Sequence, residues 1–381
     1  MPLELVATCA LGLEPILGRE LAALGHAAVA ADRGAVTFAG AWRDCWRANL
    51  RLRTANRVLV ALGRWEAPDG DRLAGGARAL VREGVVAWDG VTAAELFDPS
   101  RRLAVRATTS ASTIRDSQWA ALKLKDGLVD GQRDRYGRRA AVDRARPDLA
   151  LRLWLHRDRA TLLLDTSGEP LDHRGYRLAT VAAPVREQLA AACVLAADWD
   201  GRGPVVDPMC GSGTLLAEAG AIAVGGAPGA LRRSWAFARL PGFDAGAFLA
   251  VRGEAVPAPG PGVRLYGVDR ELAAVAAARR NLAVAGLASR ARLAASDAFD
   301  FAPPRGPGLV AVNPAYGQRL EAGAEQWRRL GDLLKRRYAG WRAVVLAGDA
   351  ELGKRIGLRP SRRIPVRNGP LDARILVFAL Y

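Results

Sequence analysis

The segment 205–214 of this 381-residue chain combines a carboxylate, a glycine turn and the start of an apolar helix. Backbone N–H groups at such a turn and at a helix N-terminus bind anions. The carboxylate of Asp207 would repel a pyrophosphate but suits a cationic ligand. S-adenosylmethionine carries an ammonium, a carboxylate and a sulfonium, so the segment predicts a site for that cofactor. The expected cofactor-binding residues here are Asp207, Pro208, Cys210, Gly211, Ser212, Gly213 and Thr214.

A dinucleotide cofactor fits this segment less well. The dinucleotide fingerprint reads G-x-G-x-x-G, and Leu216 takes the place of the third glycine after Gly211 and Gly213. The sequence therefore disfavours NAD.

Two further acidic residues follow the next two predicted strands. Asp269 closes the apolar run 264–269, where its carboxylate could accept hydrogen bonds from both hydroxyls of a ribose. Asp297, followed by Ala298, closes the run 291–297 and could accept from an adenine amino group. Each acid alone would be typical of a solvated loop. Because ligands of open α/β sheets bind outside the carboxyl ends of the strands, three acids at consecutive ends predict one cofactor site.

The fourth predicted strand, 308–313, runs into Asn313-Pro314-Ala315-Tyr316. An exocyclic amine on an aromatic base is a poor nucleophile because its lone pair is delocalised into the ring. The Asn313 amide oxygen and the Pro314 carbonyl could accept its two hydrogens and aim the lone pair at a methyl group. Tyr316 could stack on an extruded base. The alternative interpretation is an ordinary proline turn; we predict that Asn313, Pro314 and Tyr316 are catalytic.

Hydrophobic periodicity predicts the elements that position these residues. The amino-terminal part reads as a small α+β unit with strands at 3–8, 35–38 and 57–62 and helices at 13–24 and 42–52. It continues with strands at 103–109, 150–156 and 161–166 and a helix from Asp116 or Ser117 to Gly127, whose apolar face we place at Trp119, Ala120, Leu122 and Leu124.

From about residue 178 the pattern changes to apolar strands that alternate with helices, which is typical of a parallel sheet. The predicted parallel strands are 204–208, 264–269, 291–297, 308–313 and 343–348. Two more strands, at 361–366 and 374–380, form a terminal hairpin through Asn368-Gly369. A stretch rich in proline and glycine, 225–262, is inserted between the first helix and the second strand.

The positive charge is concentrated in two blocks of the chain. The 55 basic and 39 acidic residues give a net charge of +16 and a pI near 10.7. Residues 101–177 carry +7 and residues 318–381 carry +8, whereas residues 1–100 carry −1 and residues 178–317 carry +2. An arginine bias from a GC-rich genome should raise all segments alike. The two blocks therefore favour two basic surfaces that face one polyanion.

Cysteine and histidine usage argues against a metal site. The four cysteines form no CxxC pair and the chain has three histidines, so we expect no metal. The start of the chain lacks a basic leader, and no apolar run reaches the length of a membrane span. We expect a soluble, cytoplasmic protein with reduced thiols and no membrane partner.

Residues 207–214 and 313–316 resemble motifs I and IV of class I methyltransferases that act on amino groups. Three further segments, ATCALGLE at 7–14, STIRDSQ at 112–118 and HRGYR at 173–177, resemble the bacterial RlmL-like family of 23S ribosomal RNA guanine-N2 methyltransferases. So do Ala183-Pro184 with Glu187, and NGPLD at 368–372. The resemblance spans essentially the whole chain.

This resemblance implies an α/β fold with three domains. These would be a ferredoxin-like α+β domain at 1–55, a THUMP RNA-binding domain at 56–170, and a Rossmann-like class I methyltransferase domain at 171–381 with a mostly parallel seven-stranded sheet. It implies S-adenosylmethionine as cofactor, with Glu187 as a further contact, and large-subunit ribosomal RNA as partner, free or in an assembly intermediate. The expected RNA-binding residues are Arg115, Lys123, Lys125, Arg174 and Arg177.

The chain departs from the family pattern in two ways. The family usually reads Asn-Pro-Pro-Tyr, and Ala315 replaces the second proline while leaving both predicted acceptors in place. Some relatives carry a second methyltransferase domain, and from the sequence given we expect one modification only. A tRNA guanine-N2 methyltransferase remains an alternative. A non-catalytic RNA-binding assembly factor is another, whereas DNA adenine and protein glutamine methyltransferases lack this amino-terminal half.

Overall fold

Two seven-stranded sheets form the framework of the protein. The computed structural model describes residues 2–83, 91–181, 184–254, 262–314, 320–369 and 371–381. The first sheet contains the strands before residue 166 and the second those after residue 203. In the described part of the chain, no helix has the length and apolarity needed to cross a membrane.

The first sheet has the strand order β2-β3-β1-β4-β7-β6-β5. Its amino-terminal elements are β1 (Leu3–Cys9), α1 (Glu14–Ala23), β2 (Ala28–Asp32), β3 (Ala35–Gly40), α2 (Trp42–Arg51) and β4 (Ala55–Glu66). The elements that follow are α3 (Gly70–Glu83), α4 (Ala93–Leu96), β5 (Leu103–Ser110), α5 (Ser117–Tyr136), β6 (Leu149–His156) and β7 (Arg159–Asp165). The strands predicted at 150–156 and 161–166 are confirmed, and they form an antiparallel hairpin whose turn contains Arg157 and Asp158 with positive φ.

The twelve-residue strand β4 joins the two amino-terminal units into one sheet. Its first half pairs antiparallel with β1, and residues 59–66 pair antiparallel with β7. The predicted division between residues 55 and 56 falls at the start of this shared strand. A strand can pair along both of its edges. Because β4 is long, β1 pairs with its first half along one edge and β7 pairs with its second half along the other.

The helix predicted from Asp116 is confirmed, but its length and two of the four residues of its apolar face were predicted wrongly. Asp116 caps the helix by accepting hydrogen bonds from the Gln118 and Trp119 backbone N–H groups at 2.8 and 3.2 Å. The helix continues to Tyr136, and Trp119 and Leu122 are exposed. Its buried face, which includes Ala120, Leu124, Gly127, Leu128 and Gly131, packs on α3. A Cβ atom on Gly127 would lie 2.2 Å from the Ala74 carbonyl oxygen, so close helix contact selects glycine there.

The second sheet has the strand order β10-β9-β8-β11-β12-β14-β13. Its first elements are α6 (Glu187–Ala196), β8 (Pro204–Asp207), α7 (Thr214–Ala223), α8 (Ala245–Gly253), β9 (Arg264–Asp269), α9 (Leu272–Val284) and β10 (Ala291–Ala295). The remaining elements are β11 (Leu309–Val312), α10 (Leu320–Arg337), β12 (Arg342–Ala347), α11 (Ala350–Arg355), β13 (Arg362–Asn368) and β14 (Leu371–Ala379). The five predicted parallel strands and the terminal antiparallel hairpin are confirmed.

Residues 225–254, the described part of the insertion before residue 262, attach the second sheet's unit to the first. Within it, Phe237 of a 3-10 turn at Ala236–Arg239, Phe243, and Phe248 of α8 pack around Trp46 of α2. The Trp46 ring lies 5.5 Å from Phe243 in an edge-to-face arrangement and 6.1 Å from Phe248. Aromatic pairs at such distances add about 0.5–1.5 kcal/mol each beyond the burial of their area. The insertion is therefore part of the core that holds the two units together.

The carboxyl-terminal hairpin also contacts the amino-terminal unit. The Arg367 backbone N–H donates to the Leu11 carbonyl at 3.0 Å. Gly12 has a φ of +92°, and a Cβ atom there would lie 1.8 Å from the Pro365 carbonyl oxygen. The chain can pass this close to the hairpin only because residue 12 has no side chain.

Candidate functional site

The glycine turn between β8 and α7 has the backbone geometry that its sequence predicts. Gly211 and Gly213 have positive φ values of +51° and +80°, and Gly213 is the N-cap of α7. A Cβ atom on Gly213 would lie 3.0 Å from the Ala278 side chain of α9. Glycine thus lets the turn adopt a left-handed conformation while α7 and α9 pack closely behind it.

A cavity of about 670 Å³ opens at the carboxyl ends of β8, β9 and β11. The structure brings most of the predicted site residues to its wall, which contains Asp207, Pro208, Cys210, Gly211, Ser212, Thr214, Asp269, Ala298, Asn313 and Pro314. Parallel strands present their carboxyl ends at one edge of a sheet, and this explains why residues up to 107 positions apart meet here.

Asp207 is a buried carboxylate without a cationic partner among the described residues. It is 1% exposed, and its Oδ1 accepts a hydrogen bond from the Met209 backbone N–H at 3.1 Å. Burial raises the pKa of Asp207 to about 8; the Met209 N–H opposes the rise and the nearby Asp269 carboxylate adds to it. An unpaired buried carboxylate is costly, so the cavity wall favours a cation at this point.

Asp269 fastens the glycine turn to the end of β9. Its Oδ2 accepts from the Gly211 N–H at 2.9 Å, and its Oδ1 accepts from the Glu271 N–H at 3.0 Å. Each oxygen of a carboxylate has a further lone pair, so Asp269 can still accept two hydrogen bonds from the cavity.

Asn313 presents an unused acceptor at the end of β11. Its Oδ1 is buried and has no hydrogen-bond partner among the described residues. The neighbouring Pro314 is buried and also lines the cavity. A buried amide oxygen without a donor costs about 1–3 kcal/mol, which a bound N–H group would recover. The predicted stacking residue Tyr316, together with Ala315, lies outside the described residues.

Asp297 does not line the cavity, although the following Ala298 does. Its Oδ1 accepts from the Phe299 N–H at 2.9 Å, and its Oδ2 accepts from the Arg270 guanidinium at 2.7 Å. The pKa of Asp297 is lowered by these contacts, chiefly the Phe299 hydrogen bond. The carboxylate therefore braces the chain after β10, and its contact with an adenine amino group stays a prediction.

Two charged residues predicted as ligand contacts, Glu187 and Arg174, are buried in the interior instead. Glu187 is 7% exposed and lies outside the 670 Å³ cavity, where its Oε1 accepts from Arg177 at 2.8 Å. Arg174 is 2% exposed, lies 3.5 Å from the Glu218 carboxylate and donates to the carbonyls of Leu171 and Arg53. The structure thus does not support the predictions for Glu187 as a cofactor contact or for Arg174 as an RNA contact. Arg177 remains partly exposed.

The remaining predicted RNA contacts lie at the start of α5. Arg115 is exposed, and the Lys123 ammonium lies 5.5 Å from the centre of the exposed Trp119 ring. Lys125 instead forms an ion pair with Asp126 at 2.5 Å. Trp119 and Lys123 lie one turn apart on α5 and share one face of the helix, and Arg115 lies just before its N-cap.

Asn281 is a site residue that sequence reasoning missed. It is 1% exposed on α9, and its amide donates to the Ser212 and Ala179 carbonyls, both at 2.9 Å. Its Oδ1 accepts from the Leu178 and Ala179 N–H groups at 2.9 and 3.1 Å. This amide joins the glycine turn to the segment that precedes α6. The only signal in the sequence is a polar residue on the apolar face of α9.

No group of three histidine, cysteine or acidic side chains suited to a metal ion occurs in the ranges that the structure describes. The four cysteines are free and buried. Burial raises the pKa of the Cys9, Cys45 and Cys193 thiols to about 12, so none of these three is a thiolate at neutral pH.

Three parts of the chain match known protein-family models. Residues 174–376 match the RMKL-like methyltransferase domain, residues 4–59 match the RlmL ferredoxin-like domain, and residues 89–165 match the THUMP domain. The chain belongs to the RMKL-like methyltransferase family. The resemblance seen in the sequence and the expected fold class are therefore confirmed.

Relatives that match nearly the whole of this chain agree with this family. A ribosomal RNA large subunit methyltransferase K/L from Syntrophotalea carbinolica is 38% identical over 99% of this chain and 53% of its own length. A Synechocystis protein named "Putative RNA methyltransferase" is 36% identical over 98% of this chain and 96% of its own length. The chain thus spans about half the length of the K/L relatives it matches. A solved structure described as "a putative methyltransferase complexed with SAH" has a TM-score of 0.85 and 28% identity, with 100% of this chain and 98% of the other covered.

Proposed function

We propose that this protein transfers a methyl group from S-adenosylmethionine to the exocyclic N2 amine of a guanine in 23S ribosomal RNA. The observation that carries the proposal is the unpartnered Oδ1 of Asn313, which among the described residues shares one cavity with the carboxylates of Asp207 and Asp269. This Asn313 oxygen suits an amine substrate. The carboxylates of Asp207 and Asp269 suit the ammonium and the ribose hydroxyls of an adenosyl cofactor in the same cavity.

The residues present fit this cofactor. Asp207 would hold the ammonium, because its buried carboxylate has no cationic partner in the described structure. Asp269 would accept from the ribose hydroxyls with its two free lone pairs, while the glycine turn faces the carboxylate of the methionine part. When bound, the cofactor supplies an electrophilic methyl group on sulfur.

Asn313 and Pro314 would position the amine. The Asn313 Oδ1 and the Pro314 carbonyl accept the two amine hydrogens, which localises the nitrogen lone pair and directs it away from the plane of the base. Neither group removes a proton before methyl transfer, so their contribution is orientation and electrostatic stabilisation. We keep the prediction that Tyr316 stacks on the base.

The RNA partner is supported by the THUMP match and by charge. The net +7 of residues 101–177 largely overlaps the segment that matches THUMP, and the net +8 of residues 318–381 belongs to the second unit. Three relatives are named as large-subunit ribosomal RNA methyltransferases, which favours that substrate here.

The test is single-turnover methyl transfer from labelled cofactor to unmodified large-subunit ribosomal RNA. Asn313→Ala should lower the rate by two or more orders of magnitude, about 2.7 kcal/mol of transition-state stabilisation, with cofactor affinity retained. Asn313→Asp keeps an acceptor at the same place and should recover part of the rate. A near-wild-type rate for Asn313→Ala would refute the assigned role.

The substrate assignment needs its own readout. Mass spectrometry should locate the new methyl group on N2 of a guanine in 23S RNA. Methylation of tRNA alone would support the tRNA alternative. RNA binding without methyl transfer to either RNA would support a non-catalytic assembly factor.

A further inference from the structure

A second cavity, of about 1020 Å³, lies beside the cofactor cavity and shares the wall residues Pro184 and Val185 with it. We call it the arginine cleft. Six arginines line it, namely Arg57, Arg174, Arg177, Arg186, Arg232 and Arg233. Much of its lining lies between β7 and α6, within residues 169–178 and 184–186.

Positive charge exceeds negative charge in the arginine cleft. Three carboxylates, Glu169, Asp172 and Glu187, also line it, and Glu187 is paired with Arg177 at 2.8 Å. The guanidinium groups of Arg186 and Arg233 are exposed and form no ion pair or hydrogen bond with the described residues. Both of these cations are therefore available to bind an anion.

Two guanidinium groups in the wall retain unused donors. Arg232 is 8% exposed and donates to four backbone carbonyls, those of Ser167, Glu169, Pro170 and His173. Its Nε has no acceptor among the described residues, and neither has Nη1 of Arg177. Burial lowers the pKa of Arg232 to about 10, so its guanidinium stays charged at neutral pH. A buried cationic donor without an acceptor costs free energy that a bound oxyanion would offset.

The arginine cleft continues toward the carboxyl-terminal hairpin. A smaller cavity of about 250 Å³ shares Asn56 and Arg186 with it and is also lined by Arg367. Gln188, which is 2% exposed, lines this smaller cavity with an Oε1 that has no hydrogen-bond partner in the described structure. Three cavities thus follow one another from the methyl-transfer site to the second basic block, and Arg186 stands between the last two.

We propose that the arginine cleft binds the phosphate backbone of the RNA chain next to the target nucleotide, with Arg186 and Arg233 as the phosphate contacts. This inference rests on the proposed function. A charged lining and a volume at the upper end of small-molecule pockets suit several nucleotides of an extended strand better than a compact apolar ligand. Arginine forks match phosphate oxygens, and a shared wall keeps the strand continuous with a base that enters the cofactor cavity.

The test compares two double variants of equal charge. Arg186→Ala with Arg233→Ala removes the proposed contacts, and Arg264→Ala with Arg305→Ala removes two exposed arginines near the amino-terminal ends of β9 and β11. Binding of an unmodified large-subunit RNA fragment is measured from 50 to 200 mM salt, with cofactor affinity by calorimetry. The cleft variant should bind RNA roughly tenfold more weakly at 100 mM salt, and its salt slope should fall by about 1.4–1.8. Cofactor affinity should be unchanged, and the control should match wild type.

The outcomes separate this inference from the proposed function. Absence of methyl transfer by the wild-type enzyme would refute the function whatever the variants do. Methyl transfer by the wild type, together with equal RNA affinity of the cleft and control variants, would overturn the cleft assignment. A third outcome would also overturn the cleft assignment: inorganic phosphate binds the wild type but not the cleft variant, while both bind RNA equally well. The cleft would then be a site for a small anion.

Discussion

Replacing Asp207 by asparagine should stabilise the protein while it weakens cofactor binding. The buried carboxylate has a pKa of about 8, against 3.8 for an ordinary aspartate. In the unfolded chain Asp207 ionises near pH 4, whereas in the folded protein it stays protonated until about pH 8. The stabilisation of the neutral form is complete below pH 4 and is lost as the pH rises through 8.

The magnitude follows from the two pKa values. At pH 7, ionisation of Asp207 stabilises the unfolded state relative to the folded state by about 4 kcal/mol. Above pH 8 this difference approaches about 6 kcal/mol. Asparagine removes this penalty and can still accept the hydrogen bond from the Met209 N–H. These figures are upper bounds, because part of the desolvation cost remains for a buried amide.

The assay is denaturant unfolding of wild type and Asp207→Asn at pH 5, 7 and 8.5. The free energy of unfolding of the variant should exceed that of wild type by an amount that grows with pH. Asp300→Asn, which removes an exposed carboxylate, is the matched control and should show no such growth. Calorimetry should show at least tenfold weaker cofactor binding by Asp207→Asn, and the wild type should release a proton when the cofactor binds near pH 7. A variant no more stable than wild type at pH 8.5 would refute the reasoning.

Three further outcomes are expected. Asp269→Ala should raise the Kd for S-adenosylmethionine at least tenfold, about 1.4 kcal/mol, with RNA affinity unchanged; an unaltered Kd in the folded variant would remove Asp269 from the site. Replacing Arg115 or Lys123 by alanine should weaken RNA binding and lower the salt slope by about 0.7–0.9 for each phosphate that is no longer neutralised, and a wild-type slope would make them ordinary surface residues. Asn281→Asp should lower the free energy of unfolding by about 3 kcal/mol and weaken cofactor binding, because its carboxylate would face two carbonyl oxygens; unchanged unfolding and calorimetry would contradict this.

The parallel strands of the second sheet and the position of its ligand edge were predictable from the sequence. Buried parallel strands are continuous apolar runs, and each of β8, β9 and β11 is such a run that ends at or just before a polar residue. Because side chains at the carboxyl ends of parallel strands share one edge, the meeting of Asp207, Asp269 and Asn313 needed no tertiary information.

Elements stabilised by their neighbours were not predictable in this way. The helix α3 contains Gly70, Gly75 and Gly76, and glycine disfavours a helix by about 1 kcal/mol per residue, so this segment carries no clear helical signal. It is helical because it packs along α5. The length of β4 was underestimated for a related reason, since its second half pairs with β7, which lies about 100 residues later in the sequence.

The sequence by itself determined the family, the fold class and the placement of Asp207, Asp269 and Asn313 at the carboxyl ends of parallel strands. Only the tertiary structure decided which charged residues remain available to a ligand. Arg174 and Arg186 are alike in the sequence, yet the first is enclosed with Glu218 and the second, among the described residues, is free at the cleft. Charge is a property of the residue, whereas desolvation and pairing depend on partners that the fold brings from distant parts of the chain.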